Sequence, residues 1–308
     1  MEQVDLACRH HGRATGEWHT IAAMPMDRDA VLRALARDPS GSSAGLTGRA
    51  LPPGHVVEVA GTGPLYWASD STPTAEDLAW ARAGAVVSGL WPLLADGGGA
   101  MEVFTAGPDG PRARVSNWLG EGRPSDQSGI DPERWLAGEW AELIAGNEAN
   151  DYYEPHERVS ALAPAGTAWP GLCPGAAWDG SADGYADAMT EYTLANDWLE
   201  QPRMILVPAV SSSDALVAVR CTLAEIDDIA GHAAVLRSWE QRLGAEAIAL
   251  KHDTLFVSVA AAPADQGRAA HIACEHFAFA PDLLQNFDSF PDYVESLVGV
   301  NLWGFWWD

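Results

Sequence analysis

Glu275 and His276 stand side by side in Ala273-Cys274-Glu275-His276-Phe277, and a carboxylate beside an imidazole has the parts for acid–base work near neutral pH. On one helix, however, adjacent side chains diverge by about 100° and do not face each other. His276 therefore needs a carboxylate from elsewhere in the chain. Glu240 and Asp253 are the candidates, and His276 with either one would make a hydrolase-type site if the fold brings them within hydrogen-bond reach. The positions Ala269, Ile272, Ala273 and His276 follow i, i+3, i+4, i+7. That spacing turns His276 toward the core and leaves His271 and Glu275 on the water side as a solvated i, i+4 pair.

Other residues with ligand or nucleophile chemistry have weaker patterns. Cys8, His10 and His11 offer three soft-metal ligands with no fixed fourth. Glu225, Asp227 and Asp228 suit a hard cation, but they also suit the start of the helix that follows, as a cap and as negative charge at its N-terminus. His252-Asp253 sits between two apolar runs, where a tight turn by itself accounts for polar residues. Cys274 lies beside an apolar stripe and behaves as a small hydrophobe. The glycines at 41, 45 and 48 follow no strand and carry no Gly-Lys-Ser/Thr, so they do not form a phosphate loop. No metal site and no cofactor is expected.

The end of the chain carries a different signal. Four of the last eight residues, Trp303, Phe305, Trp306 and Trp307, are large aromatics, followed only by Asp308. Burial of such rings outweighs the entropy of ordering a short tail, so the tail is expected to dock on the fold. Any part of Trp303, Trp306, Trp307 and Asp308 left exposed would form an acid-rimmed binding surface.

The elements that position these groups follow from periodicity and turn chemistry. Asp27 to Ala36 predicts a helix closed by Asp38-Pro39-Ser40-Gly41. His55 to Val59 and Pro64 to Trp67 predict paired strands, Thr74 caps a helix through Ala83, and the apolar run Val86 to Leu94 predicts a strand with Met101 to Phe104 beside it. Residues 107 to 128 form a Gly/Pro/Arg/Ser loop, Pro132 to Ile144 a short helix, and Asp151 to Gly184 a Pro/Gly/Trp-rich stretch. Further on, Arg203 to Val210 predicts a strand and Ser211 caps a short helix through Val219. Gly231 to Leu243 is a helix with Val235, Leu236, Trp239 and Leu243 on its core stripe, Glu240 off that stripe and Gly244 as its stop. Glu246 to Lys251 and Thr254 to Val259 predict a hairpin buried mainly on one face, followed by helices over Asp265 to Phe277 and from Ser289 to Gly299.

The order of elements predicts an α+β fold of two mixed domains, the C-terminal one a mainly antiparallel sheet packed by helices. Its boundaries are an N-terminal domain over 1–150, a linker over 151–200 and a C-terminal domain over 201–308, in line with the domain count for 308 residues.

Within that frame, LRSWEQRLGAEAIAL, DTLFVSVAAAP, ACEHFAFAPD and the terminal FWWD resemble, in fixed order, the bacterial family called domain of unknown function 4253. DPSGSSAGL, ALPPGHVVEV, PLYWASD and SGLWPLLAD in the N-terminal half are similar to its actinobacterial members. The resemblance implies no activity and no catalytic residue set. The family pattern places a Cys before the Pro-Asp that ends the late helix, whereas Ala280 precedes Pro281-Asp282 here, so no catalytic Cys carries over to that position.

Charge narrows the function classes. With 43 acidic against 18 basic residues and a net charge of −25, the chain is a poor partner for nucleic acid or an anionic membrane, both polyanions, and a good one for a basic protein. Lys251 is the single lysine, and an Arg-for-Lys bias amid abundant Ala, Gly and Pro is the signature of genome composition. Cys8, Cys173, Cys221 and Cys274 form no Cys-x-x-Cys, and there is neither a basic-then-apolar leader nor an apolar run of membrane length, which together predict a soluble cytoplasmic protein. Three functions fit these constraints. The first is an interaction or inhibitor/immunity-like module with an acidic surface; the second a hydrolase built on His276; the third a structural subunit of an assembly.

Overall fold

A computed structural model describes residues 28–37, 49–59, 63–96, 129–149, 166–219, 226, 228–251, 253–287 and 289–307. Cys8, His10, His11, Met101 to Phe104, the 107–128 loop, Cys221, Glu225, Asp227, His252 and Asp308 lie outside the described residues.

The chain begins with α1 (Arg28–Arg37), the hairpin β1 (Gly54–Val59) and β2 (Gly63–Ser69), α2 (Ala75–Ser88) and β3 (Leu90–Asp96). Next come α3 (Pro132–Ala149), α4 (Ala182–Ala195), β4 (Pro202–Pro208), α5 (Ser212–Ala218) and α6 (Ile229–Leu243). The hairpin β5 (Ala245–Leu250) and β6 (Thr254–Val259), then α7 (Gln266–Phe279), a 3₁₀ turn over Pro281–Asn286, α8 (Phe290–Leu297) and β7 (Leu302–Trp306) complete it. The fold is α+β.

Local chemistry sets many of the boundaries. Thr74 forms a full capping box with Asp77, so α2 starts where the sequence places it. It does not end at Ala83. The helix continues through Val86 and Val87, both more than three-quarters exposed, to Gly89, whose φ of 65° suits a left-handed C-cap. The apolar run 86–94 is therefore half helix and half strand, because Gly89 splits it. Ser211 caps α5, Asp228 caps α6, Asp265 caps α7 and Ser289 caps α8, each through a side-chain oxygen accepting a backbone N–H. Gly244 ends α6 at φ 61°, and a Cβ there would stand 2.9 Å from the Cβ of Ala260.

The described strands form one seven-stranded sheet in the order β1-β2-β4-β3-β5-β6-β7. All pairings are antiparallel except β3 with β5. The expected boundary at 151–200 does not divide this sheet. β4, from beyond it, inserts between β2 and β3 and pairs with β3 from Leu90↔Pro208 to Asp96↔Pro202. The two sequence halves share a single array of backbone hydrogen bonds. The expected linker also contains a 14-residue helix, α4, capped by Ser181.

Helices cover both faces. On one, Leu136, Trp140, Leu216, Val235, Trp239, Ile272 and Phe277 of α3 and α5–α7 meet Val257, Trp303 and Phe305 of the sheet. On the other, Leu32, Leu78 and Ala186 of α1, α2 and α4 meet Trp67, Leu94, Leu206, Ile248 and Phe256. The β5–β6 hairpin is thus buried on both faces, not mainly on one, because it lies between two helical layers rather than at a solvated surface. The aromatic tail docks as β7, an antiparallel neighbour of β6.

Candidate functional site

α7 delivers His276 to the core, as its spacing requires. The ring is fully buried, its Nδ1 pairs with the Tyr293 hydroxyl at 2.7 Å, and its Nε2 has no hydrogen-bond partner. Aromatic rings surround it edge-on: Trp303 at 4.4 Å between centroids, Phe305 at 4.9 Å and Trp239 at 5.3 Å. Burial lowers its pKa to about 3, so the imidazole is neutral at physiological pH, and the same burial pushes the Tyr293 phenol up. A neutral ring in an aromatic box has no route for exchanging protons with a solute.

Glu275 corrects the sequence expectation. It does not point to water and does not pair with His271; it is fully buried and accepts four hydrogen bonds. Oε1 takes the Cys173 backbone N–H at 2.6 Å and Arg242 Nη1 at 3.1 Å, while Oε2 takes Trp239 Nε1 at 2.7 Å and Arg242 Nη2 at 2.6 Å. Arg242 also donates to Ser238 Oγ and to the Cys173 carbonyl. This bidentate pair ties α6, α7 and the segment around Cys173 together, and a charge so well bonded stays buried. His271 instead meets the Gly171 carbonyl through Nε2 at 2.8 Å. The thiols nearby are not activated: burial raises Cys173, and burial with the Glu275 charge raises Cys274 to about 12.

Glu240 lies off the Trp239 stripe, as expected, yet its carboxylate is engaged. Ser212 Oγ donates at 2.6 Å, the Ser213 N–H at 2.8 Å and Ser213 Oγ at 2.9 Å, joining α6 to the start of α5. Burial pushes its carboxyl up while these donors pull it down. Asp253 belongs to the β5–β6 turn and latches the tail: Oδ2 accepts from Trp306 Nε1 at 3.2 Å, Oδ1 from Thr254 Oγ1 at 2.8 Å, and its carbonyl from the Trp307 N–H at 3.0 Å. Among the described hydrogen bonds, His276, Glu240 and Asp253 are held by three separate sets of partners and none joins any two of them. Asp228 caps α6 and also accepts from Trp135 Nε1 at 2.9 Å. Trp303 and Trp307 are buried and Trp306 is half-buried. Among the described residues, no group of three or more His, Cys, Asp or Glu is placed to hold a metal ion.

Two groupings have no counterpart in the sequence expectations. Arg82 of α2, itself buried, forms an ion pair with Asp187, reaches Thr190 Oγ1 at 3.5 Å, and lies 3.4 Å from Glu246 Oε2 through Nε. Burial raises Glu246 to about 8 against the lowering effect of Arg82, and burial likewise raises Asp187. Positions 82, 187 and 246 carry no local signal, because their meeting depends on α2 and α4 packing over β5. The second grouping is apolar. Trp198 stacks on Phe256 at 5.5 Å with 26° between planes, and Tyr192 meets Trp198 edge-on at 5.5 Å. Trp198 is 39% and Tyr192 46% exposed.

Residues 203–308 match the family model described as Domain of unknown function (DUF4253). No curated protein and no solved structure matches the chain. The matched segment runs from β4 onward and contains Glu240, Glu246, Asp253, Glu275, His276 and the aromatic tail. Its sheet is completed from outside: β3 lies between β4 and β5, β2 and then β1 extend the sheet beyond β4, and Arg82, itself paired with Asp187, supplies the cation beside Glu246. Trp198 and Tyr192 precede the matched segment; Trp198 stacks on its Phe256, and Tyr192 meets Trp198 edge-on.

Proposed function

We propose that the protein is an interaction module that holds a basic protein partner through an acidic surface, in the manner of an inhibitor or immunity protein, in a bacterial cytoplasm. The observation that carries this reading is the charge, −25 over 308 residues, in a fold whose best candidate catalytic groups are all occupied in holding elements together. His276 is boxed by aromatic rings, Glu275 is saturated by four donors, Glu240 is bound by two serines and Asp253 latches the tail. A surface of this charge speeds encounter with a basic partner and repels polyanions, with a strong dependence on salt.

The test is affinity capture of the N-terminally tagged full chain from its native lysate with salt-gradient elution. A near-stoichiometric basic protein released by salt is expected. Recovery of the chain without any salt-released partner removes this reading.

A further inference from the structure

We propose that the aromatic face formed by Tyr192 and Trp198, the latter resting on Phe256 beside Gly304, receives an arginine side chain of a basic protein partner. The inference rests on the interaction reading above and names the surface that would carry it.

Phe256 and Gly304 are paired across β6 and β7, so they share one face of the sheet. Gly304 is exposed, and a Cβ there would meet only the Phe256 ring, at 3.8 Å, with no other atom within 4 Å. Phe256 itself is 9% exposed, so what Gly304 leaves open is the space beside the ring rather than the ring's face. Trp198 stacks over Phe256 and Tyr192 meets Trp198 edge-on, and these two rings, 39% and 46% exposed, are the accessible ones.

Negative groups lie beside this face, and the single lysine, Lys251, bonds through its backbone N–H to the Thr254 carbonyl in the same hairpin. α4 ends at Ala195, three residues before Trp198, so the negative pole of its macrodipole lies here, and no basic residue in its last turn offsets it. Asp197, held at φ 52°, immediately precedes Trp198, and Asp253 borders the same strands through its bond to Trp306. Aromatic faces attract cations through their quadrupole, a planar guanidinium stacks on them, and neighbouring carboxylates favour the same occupant. A second copy of this chain, with the same −25 charge, is disfavoured by repulsion.

The test uses the full chain, with Trp198→Ala and Gly304→Val, and isothermal titration of an acetylated, amidated Gly-Arg-Gly-Arg-Gly peptide against its citrulline analogue. Gly304→Val fills the open space at a strand position that tolerates a β-branched residue, and thermal unfolding verifies that both variants remain folded. The arginine peptide is expected to bind the wild type, the neutral analogue not, and both variants to bind roughly five- to thirtyfold more weakly, the span of one partly desolvated cation–π contact. Equal binding to wild type and both variants overturns the site while leaving the acidic-surface reading intact. No arginine-dependent binding to the wild type overturns the site, and the lysate capture then decides the broader reading separately. Equal affinity for the citrulline analogue, or a dimer in sedimentation that Gly304→Val dissolves, also overturns it.

Discussion

The two faces of the β6–β7 pair are built from alternate residues of the same strands and have opposite fates. One presents Leu255, Val257, Trp303 and Phe305 to Trp239, Phe279 and His276, and every one of these is buried. The other places Phe256, 9% exposed, under Trp198, leaves Gly304 exposed beside it, and ends at the exposed rings of Trp198 and Tyr192. The sealed face gathers the groups with chemistry and denies them a solute. The open face carries no imidazole or carboxylate among its rings but offers area. The comparison teaches that residue type alone is a poor guide to function: the imidazole and carboxylates act as structural pins, while a glycine and a tryptophan define the accessible surface.

Breaking the sealed face has the largest expected effect. Glu275→Ala leaves Arg242, the Trp239 indole and the Cys173 N–H without their acceptor in the interior, and a loss of about 3–5 kcal/mol in urea unfolding is expected. Phe305→Ala follows at about 3–5 kcal/mol or slightly less, because it opens a cavity against Trp239, stacked on it at 5.4 Å, and against His276.

The next predictions concern pH and have opposite signs on the two sides of the sheet. The folded His276 resists protonation down to about pH 3, whereas the unfolded ring takes up a proton near 6.5. Its contribution is therefore present above pH 6.5 and lost as pH falls toward 3. NMR should find no His276 titration between pH 5 and 8. Glu246 is raised from 4.5 to about 8, so the folded state keeps a proton that the unfolded state releases. Its contribution is present below pH 4.5 and lost as pH rises to 8. Glu246→Gln should flatten that decline by at least about 1.4 kcal/mol, the worth of one pKa unit, in unfolding curves measured across the window. The smallest stability effect is expected on the open face: Gly304→Val should change unfolding free energy by no more than about 0.5 kcal/mol. A large loss there would mean that the two faces are not different in kind.

Most elements were legible in the sequence because their signals are local. The caps Thr74, Ser211, Asp228, Asp265 and Ser289, the stop at Gly244 and the i, i+3, i+4 stripe of α7 need only neighbours a few residues away. The inward turn of His276 and the docking of the tail belong to the same class. α4 was missed because the Pro/Gly-rich run before it masked its start, and the 86–94 run was misread because an apolar stretch carries no label for helix or strand.

What the sequence by itself determined, then, is most of the elements, caps such as Thr74 and Ser211, the acidic balance and the apolar identity of the tail, all fixed by composition and short-range spacing. Tertiary structure decided the rest. It inserted β4 between β2 and β3, buried Glu275 on Arg242, raised Glu246 by burying it beside Arg82, and left Trp198 stacked on Phe256 beside an empty position at Gly304. Each of these depends on residues tens to more than a hundred positions apart. Side-chain burial and pairing are set by which surfaces meet, and no local pattern encodes that meeting.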